Sequence, residues 1–201
     1  MPSPAERSPD LVPRIKAEAA RLGFAACGVL PAGPARTHAF YEAWLAADYG
    51  GAMDYLRRHA PLKRDPRRLL PEARTVLALA HPYDTPAEAL PPDDPTPRGR
   101  VSRYAWGADY HAVLRAKLER LAAFIADAQG RPLRWRACVD SAPVLERELA
   151  ARAGLGWVGR NALLIHWRLG SWLFLAELLL DAALPPDVPP APRRGRAARR
   201  I

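Results

Sequence analysis

A chain of 201 residues that is 49% hydrophobic and 25% charged can bury one sizeable core, and two full domains of ordinary size are excluded. The longest apolar run, "SWLFLAELLLD", is too short for a bilayer and carries Glu177, and "MPSPAERSPD" lacks the apolar centre of a secretory signal, so a cytoplasmic protein is expected. The net charge of +9 falls to +4 once Arg193, Arg194, Arg196, Arg199 and Arg200 are set aside, which weakens the case for a binder of nucleic acid built on charge alone.

In chain order, the apolar spacing of Leu11, Ile15, Ala19 and Leu22 predicts a helix over residues 10 to 22, closed by Gly23. "FAACGVL" reads as a short buried strand. A second helix is expected from about 35 to 47, and "AMDYLRRH" starts a short third one. "KRDPRRLLPEA" is a loop, and "TVLALAHPY" has the continuous apolar character of a central strand. Residues 84 to 99, rich in Pro and Asp, read as a mobile loop.

"VSRYAW" is expected to be a strand, followed by the plainest helix of the sequence. Leu114, Leu118, Leu121 and Ile125 form its buried stripe, Asp109 its N-cap and Gly130 its stop. "LRWRACV" is a strand ending at Asp140, and Pro143 is expected in the first turn of the helix after it. "ALLIHW" and "SWLFLAELLL", joined by "RLG", read as a hairpin. Strands and helices mix without strict alternation, so the fold class is α+β, arranged as a three-layer sandwich.

Asp140 admits two readings. An Asp or Ser before a Pro-initiated helix is a common N-cap. Alternatively, a carboxyl held at a strand end in an apolar wall keeps its proton to higher pH and serves as a general acid. "GLGWVGRN" is either a helix stop followed by a turn or a cradle, in which Gly154, Gly156 and Gly159 permit close approach, Arg160 supplies a cation and Asn161 hydrogen-bonds both ways. "RYAWGADYH" is either junction packing or an aromatic wall for a flat ligand. The five histidines show no metal-pair spacing, and Cys27 and Cys138 do not make a disulfide scaffold.

Taken together, "MDYLRRH", "KRDPRRLLPEARTVLALA", "RYAWGADYH", "VDSAPVLERELAARAGLGWVGRN" and "GSWLFLAELLLD" resemble epoxyqueuosine reductases, in collinear order over residues 11 to 187. The resemblance implies a cobalamin-binding domain related to flavin nitroreductases and reductive dehalogenases. It implies reduction of the epoxide of epoxyqueuosine in a tRNA anticodon stem-loop, with low-valent cobalt doing the hard step and Asp140 donating a proton. It also implies that Arg64, Tyr104, Ala105, Gly156, Arg160, Asn161, Leu164 and Ser171 contact the cofactor, with no protein ligand to a metal. Arg160 stands where the family has Lys, so a fork replaces a point charge.

The family continues into a module with two [4Fe-4S] clusters opening "CGxCxxC". Laid in register, "RGRAARRI" puts Arg194, Ala197 and Arg200 at the three cysteine positions, and none can ligate iron. Residues 1–187 are therefore expected to be the cobalamin-binding catalytic domain and 188–201 a Pro/Arg-rich remnant of the linker. The chain is expected to be a monomer that depends on an external electron donor. The rival readings are a non-catalytic cobalamin-binding module and a flavin-binding nitroreductase-like protein.

Overall fold

The computed structural model describes residues 11–84, 99 and 101–187. Its elements are α1 (Leu11–Arg21), β1 (Ala26–Pro31), α2 (His38–Ala46), α3 (Asp54–Lys63), β2 (Thr75–Pro82), α4 (Tyr110–Gln129), β3 (Trp135–Cys138), α5 (Glu146–Arg152), β4 (Trp157–Val158), β5 (Leu164–Ile165) and β6 (Leu173–Leu180). The expected loop over residues 84 to 99 and the arginine-rich "RGRAARRI" fall largely or wholly outside the described residues.

Four strands form an antiparallel sheet in the order β1-β2-β6-β3. The central pair, β2 and β6, is covered on both faces, which is why both strands read as nearly continuous apolar runs. Alternation sorts their side chains. Leu77, Leu79, Leu178 and Leu180 join the cluster built with α1 and α4, whereas Val76, Ala78, Ala80 and Leu179 join the cluster built with α5. Helices on both faces of one sheet give the three-layer α+β sandwich that the sequence implied.

On one face α4 supplies Leu114, Leu118, Leu121 and Ile125, all buried. Fully burying such a side chain is worth roughly 1.5–3 kcal/mol, so this stripe alone fixes the helix on the sheet. The Asp109 side chain accepts the His111 N–H at one end, and Gly130 closes the other in the left-handed region, φ 62°. On the opposite face α5 lies directly against β1. A β-carbon at Gly28 would run into the carbonyl oxygen and side chain of Ala153, so that strand position takes only glycine.

Three expectations are corrected. "VSRYAW" is not a strand: Arg103–Ala105 form a 3₁₀ turn, the Trp106 Nε1 donates back to the Val101 carbonyl at 2.8 Å, and Gly107 turns the chain with φ 80°. Pro143 does not open a helix, because α5 begins three residues later, at Glu146. "ALLIHW" and "SWLFLAELLL" do not pair as a hairpin. Leu164–Ile165 pairs with Trp157–Val158, while Leu173–Leu180 goes into the centre of the main sheet. A one-bridge turn, His166 to Gly170, is what remains between them. The apolar demand of the core took the longer run and left the shorter one at the surface.

Candidate active site

The last paired residues of β3 and β6 are Cys138 and Glu177. Two residues later the chain leaves the sheet at Asp140, with φ 47°. That left-handed conformation is uncommon for a residue with a side chain, and Asp adopts it more readily than most. The departure strips β6 of its neighbour along Leu173–Leu175 and opens a cleft of about 240 Å³ there. Asp140, Tyr110, Glu146, Arg147, Leu163, Leu164 and Ser171 complete its wall.

Asp140 is not an N-cap, since α5 is entered through Leu145. Its carboxylate is instead gripped from α4. Oδ2 accepts from the Tyr110 hydroxyl at 2.9 Å and lies 3.2 Å from the His111 Nε2. The His111 Nδ1 sits 2.8 Å from the Asp109 Oδ1, so the imidazole bridges two carboxylates. Bonding to Asp109, with a further contribution from Asp140, raises the His111 pKa and favours imidazolium. Burial first, and then the bond to Asp140, keep the Tyr110 phenol protonated to higher pH than usual.

Asp140 is not closed in by the apolar wall expected around it: 57% of its side chain is exposed. The desolvated acid of this cleft is Glu146, at the start of α5. Burial pushes its carboxyl up to about 7, and the nearby charge of Asp140 adds to the rise while Arg147 and Lys63 oppose it. Behind it Glu177 is fully buried, with neither oxygen hydrogen-bonded among the described residues. Burial and the charge of Glu146 hold its carboxyl well above the usual range.

A row of rings runs out from the cleft. Phe174 stacks on Tyr110 at 4.3 Å between centroids, Tyr83 meets Phe174 at 4.6 Å and Trp172 at 5.9 Å, and the Arg103 guanidinium lies 4.7 Å over Trp172. "RYAWGADYH" is thus split. Tyr110 and His111 hold Asp140, and Arg103 ends the aromatic row.

Of the residues that the sequence pointed to, Asp140, Leu164 and Ser171 share the cleft. Arg64, Tyr104, Ala105, Gly156, Arg160 and Asn161 lie outside its lining. Arg64 caps α3, and Tyr104 and Ala105 are exposed on the 3₁₀ turn. A β-carbon at Gly156 would collide with the Ile165 carbonyl, so this glycine serves the pairing of β4 with β5. The Asn161 Oδ1 accepts from the Leu163 N–H at 3.2 Å and closes the turn between those strands. That turn, with Arg160 exposed on it, runs straight into Leu163 and Leu164 at the cleft wall. Glu146, Arg147 and Phe174 were not picked out from the sequence. The usable signal was an acid at the start of a helix that follows an apolar strand.

The family model "Epoxyqueuosine reductase QueG, DUF1730" matches residues 63–141, the stretch from the end of α3 to the residue after Asp140. An epoxyqueuosine reductase of Aliivibrio fischeri is 40% identical over 182 residues, covering 90% of this chain and 48% of that protein. By sequence, the chain is similar to epoxyqueuosine reductases over about nine-tenths of its own length. It spans about half the length of the curated relatives it matches. A crystal structure of epoxyqueuosine reductase with an epoxyqueuosine-modified tRNA stem loop is 27% identical, with a TM-score of 0.76 over 90% of this chain and 48% of that one. A reductive dehalogenase structure described in terms of B12-dependent dehalogenation shares the fold, at 19% identity and a TM-score of 0.55, covering 96% of this chain and 22% of that one. Among the described residues, no helix is long and apolar enough to cross a membrane.

Proposed function

We propose that this cleft is the reacting end of a cobalamin-dependent site that reduces the epoxide of epoxyqueuosine in a tRNA anticodon stem-loop. The observation that carries the reading is Asp140, turned out of the sheet by a left-handed residue and held at the cleft lip by Tyr110 and His111. A single exposed carboxyl held beside an imidazolium can relay a proton from it to a departing oxygen.

The residues present fit a large flat cofactor that overlaps the cleft. At about 240 Å³ the cleft is below the roughly 300–1,000 Å³ of a drug-sized pocket, so it admits the reacting part of a ligand and not a whole macrocycle. Beside Leu164, the β4–β5 ribbon and its turn leave Trp157, Val158 and Leu163 about half exposed, an apolar surface in need of cover. Leu163, Leu164 and Ser171 are proposed to hold the cofactor, with Arg160 at the edge. Bound cobalamin supplies the two electrons. The protein's own part is to orient the substrate oxygen at Asp140, to keep Tyr110 protonated so that it fixes that carboxylate, and to provide an imidazolium at His111 as a neighbouring source of protons.

Electrons are proposed to come from a separate donor. The two cysteines of the sequence, Cys27 and Cys138, both sit in the sheet, and burial pushes each thiol up to about 12, the opposite of what a cluster ligand needs. A monomer in the cytoplasm remains part of the proposal. Anaerobic titration with cob(II)alamin, followed by visible spectroscopy, tests the site. Saturable binding by both the natural sequence and Asp140→Asn is expected. No binding by the natural sequence overturns the reading, and a bound flavin in the purified protein favours the nitroreductase-like rival.

A further inference from the structure

Resting on that reading, we propose that Glu146 carries the second proton of the reaction and passes it to the departing oxygen through Asp140. The stoichiometry requires two protons, and the His111 imidazolium accounts for no more than one of them. Reducing an epoxide to an alkene breaks both C–O bonds, forms the C=C bond and releases the oxygen as water. It consumes two electrons, supplied by the external donor through cobalamin, and two protons. Asp140 holds one proton at a time and must be reloaded before the oxygen leaves as water, or a second acid must act.

The fold provides that second acid within the same cleft. Glu146 lines it together with Asp140, and it is drawn from α5, whereas Asp140 is held from α4. Its wall position desolvates it while the exposed Asp140 stays in contact with solvent and substrate, so the two carboxyls occupy different environments. Two acids with environments pushed apart are how one site separates proton storage from proton delivery. The other charged and titratable groups around Glu146 are Lys63 of α3, Arg147 of α5, Tyr110 of α4 and Glu177 of β6. The Lys63 Nζ is engaged by the Val144 carbonyl at 3.3 Å, and Arg147 by the Ala162 carbonyl, so neither is committed to pairing with Glu146. Glu177 closes the inner side. Leu173, Leu175 and Glu177 share one face of β6, the first two line the cleft, and the third is sealed off from solvent. A protonated Glu177 adds no second charge beside Glu146 and leaves it free to load and unload.

Two readouts test the proposal. In the cofactor-free chain labelled with ¹³C at glutamate carboxyls, one resonance should titrate at about 7 and should vanish in Glu146→Gln. A Glu146 resonance titrating near the ordinary value, about 4.3, overturns the proposal. In the cobalamin-loaded chain driven by a chemical reductant, kcat on an epoxyqueuosine stem-loop should fall as pH rises through that midpoint. Glu146→Gln should lower kcat about 10²-fold or more with KM unchanged, as expected for loss of an acid group. Glu146→Asp guards against a folding defect: it keeps the acid and should restore much of the rate. Unchanged kcat and pH profile in Glu146→Gln overturn the relay. Absence of product from the natural sequence sinks the site's function and the relay with it, and a normal Glu146 titration overturns only the part assigned to Glu146.

Discussion

Replacing Glu177 with glutamine is expected to remove a large part of the pH dependence of stability. The side chain lies in the middle of the central strand β6, fully buried, and its carboxyl oxygens have no hydrogen-bond partner among the described residues. Ionising it there is unfavourable, so the folded protein keeps its proton to a much higher pH than the unfolded chain, whose carboxyl titrates near 4.5. A group with a raised folded pKa contributes stability below the unfolded pKa and loses it as pH rises toward the folded one. The slope in that window is about 1.4 kcal/mol per pH unit for one proton. From about pH 5.5 to about pH 7 the natural sequence should therefore lose about 2 kcal/mol more than Glu177→Gln. Glu146 has its own slope up to about 7 and is present in both proteins, so the difference between the two curves reports Glu177 together with its interaction with Glu146. Urea unfolding followed by circular dichroism at a series of pH values gives the two curves. Parallel curves would refute the reasoning, because they would mean that Glu177 is ionised and paired in the fold.

Gly156→Ala should destabilise the protein by about 1–3 kcal/mol in urea unfolding, because the β-carbon meets the Ile165 backbone and not a movable side chain. A loss under about 0.5 kcal/mol would show that β4 and β5 part without cost. The His111 imidazole should titrate above its ordinary value of 6.5 by NMR, and Asp109→Asn should bring it down while preserving the helix cap. An unshifted His111 would contradict the bridge between Asp109 and Asp140.

The parts of the fold that were legible in the sequence are those with a local cause. The stripe from Leu114 to Ile125, the Asp109 cap and the Gly130 stop each act within a few residues, and each is where the pattern put it. Strand partners were not legible, because pairing is set by distant chain. "ALLIHW" and "SWLFLAELLL" both look like strands, but only register with β2 and β3 decides that the second enters the core. The site divides in the same way. Asp140 stood out as a lone acid at a strand end, and Tyr110 and His111 belong to a motif already noticed. Glu146 drew no notice in the sequence, and Glu177 was only a charge within an apolar run. Their importance comes from desolvation, which exists only once α5 covers β6. The expectation that Asp140 itself is desolvated failed for the converse reason: the left-handed turn that exposes it is not visible in residue type.

The central claim is most directly tested by reducing an epoxyqueuosine-bearing RNA stem-loop with the cobalamin-loaded chain and a chemical one-electron reductant, comparing the natural sequence with Asp140→Asn. The account expects queuosine from the natural sequence and a rate lower by about 10²-fold or more from Asp140→Asn, with cobalamin binding retained. Equal rates from the two proteins would contradict it, since the carboxyl held by Tyr110 and His111 would then have no part in the chemistry.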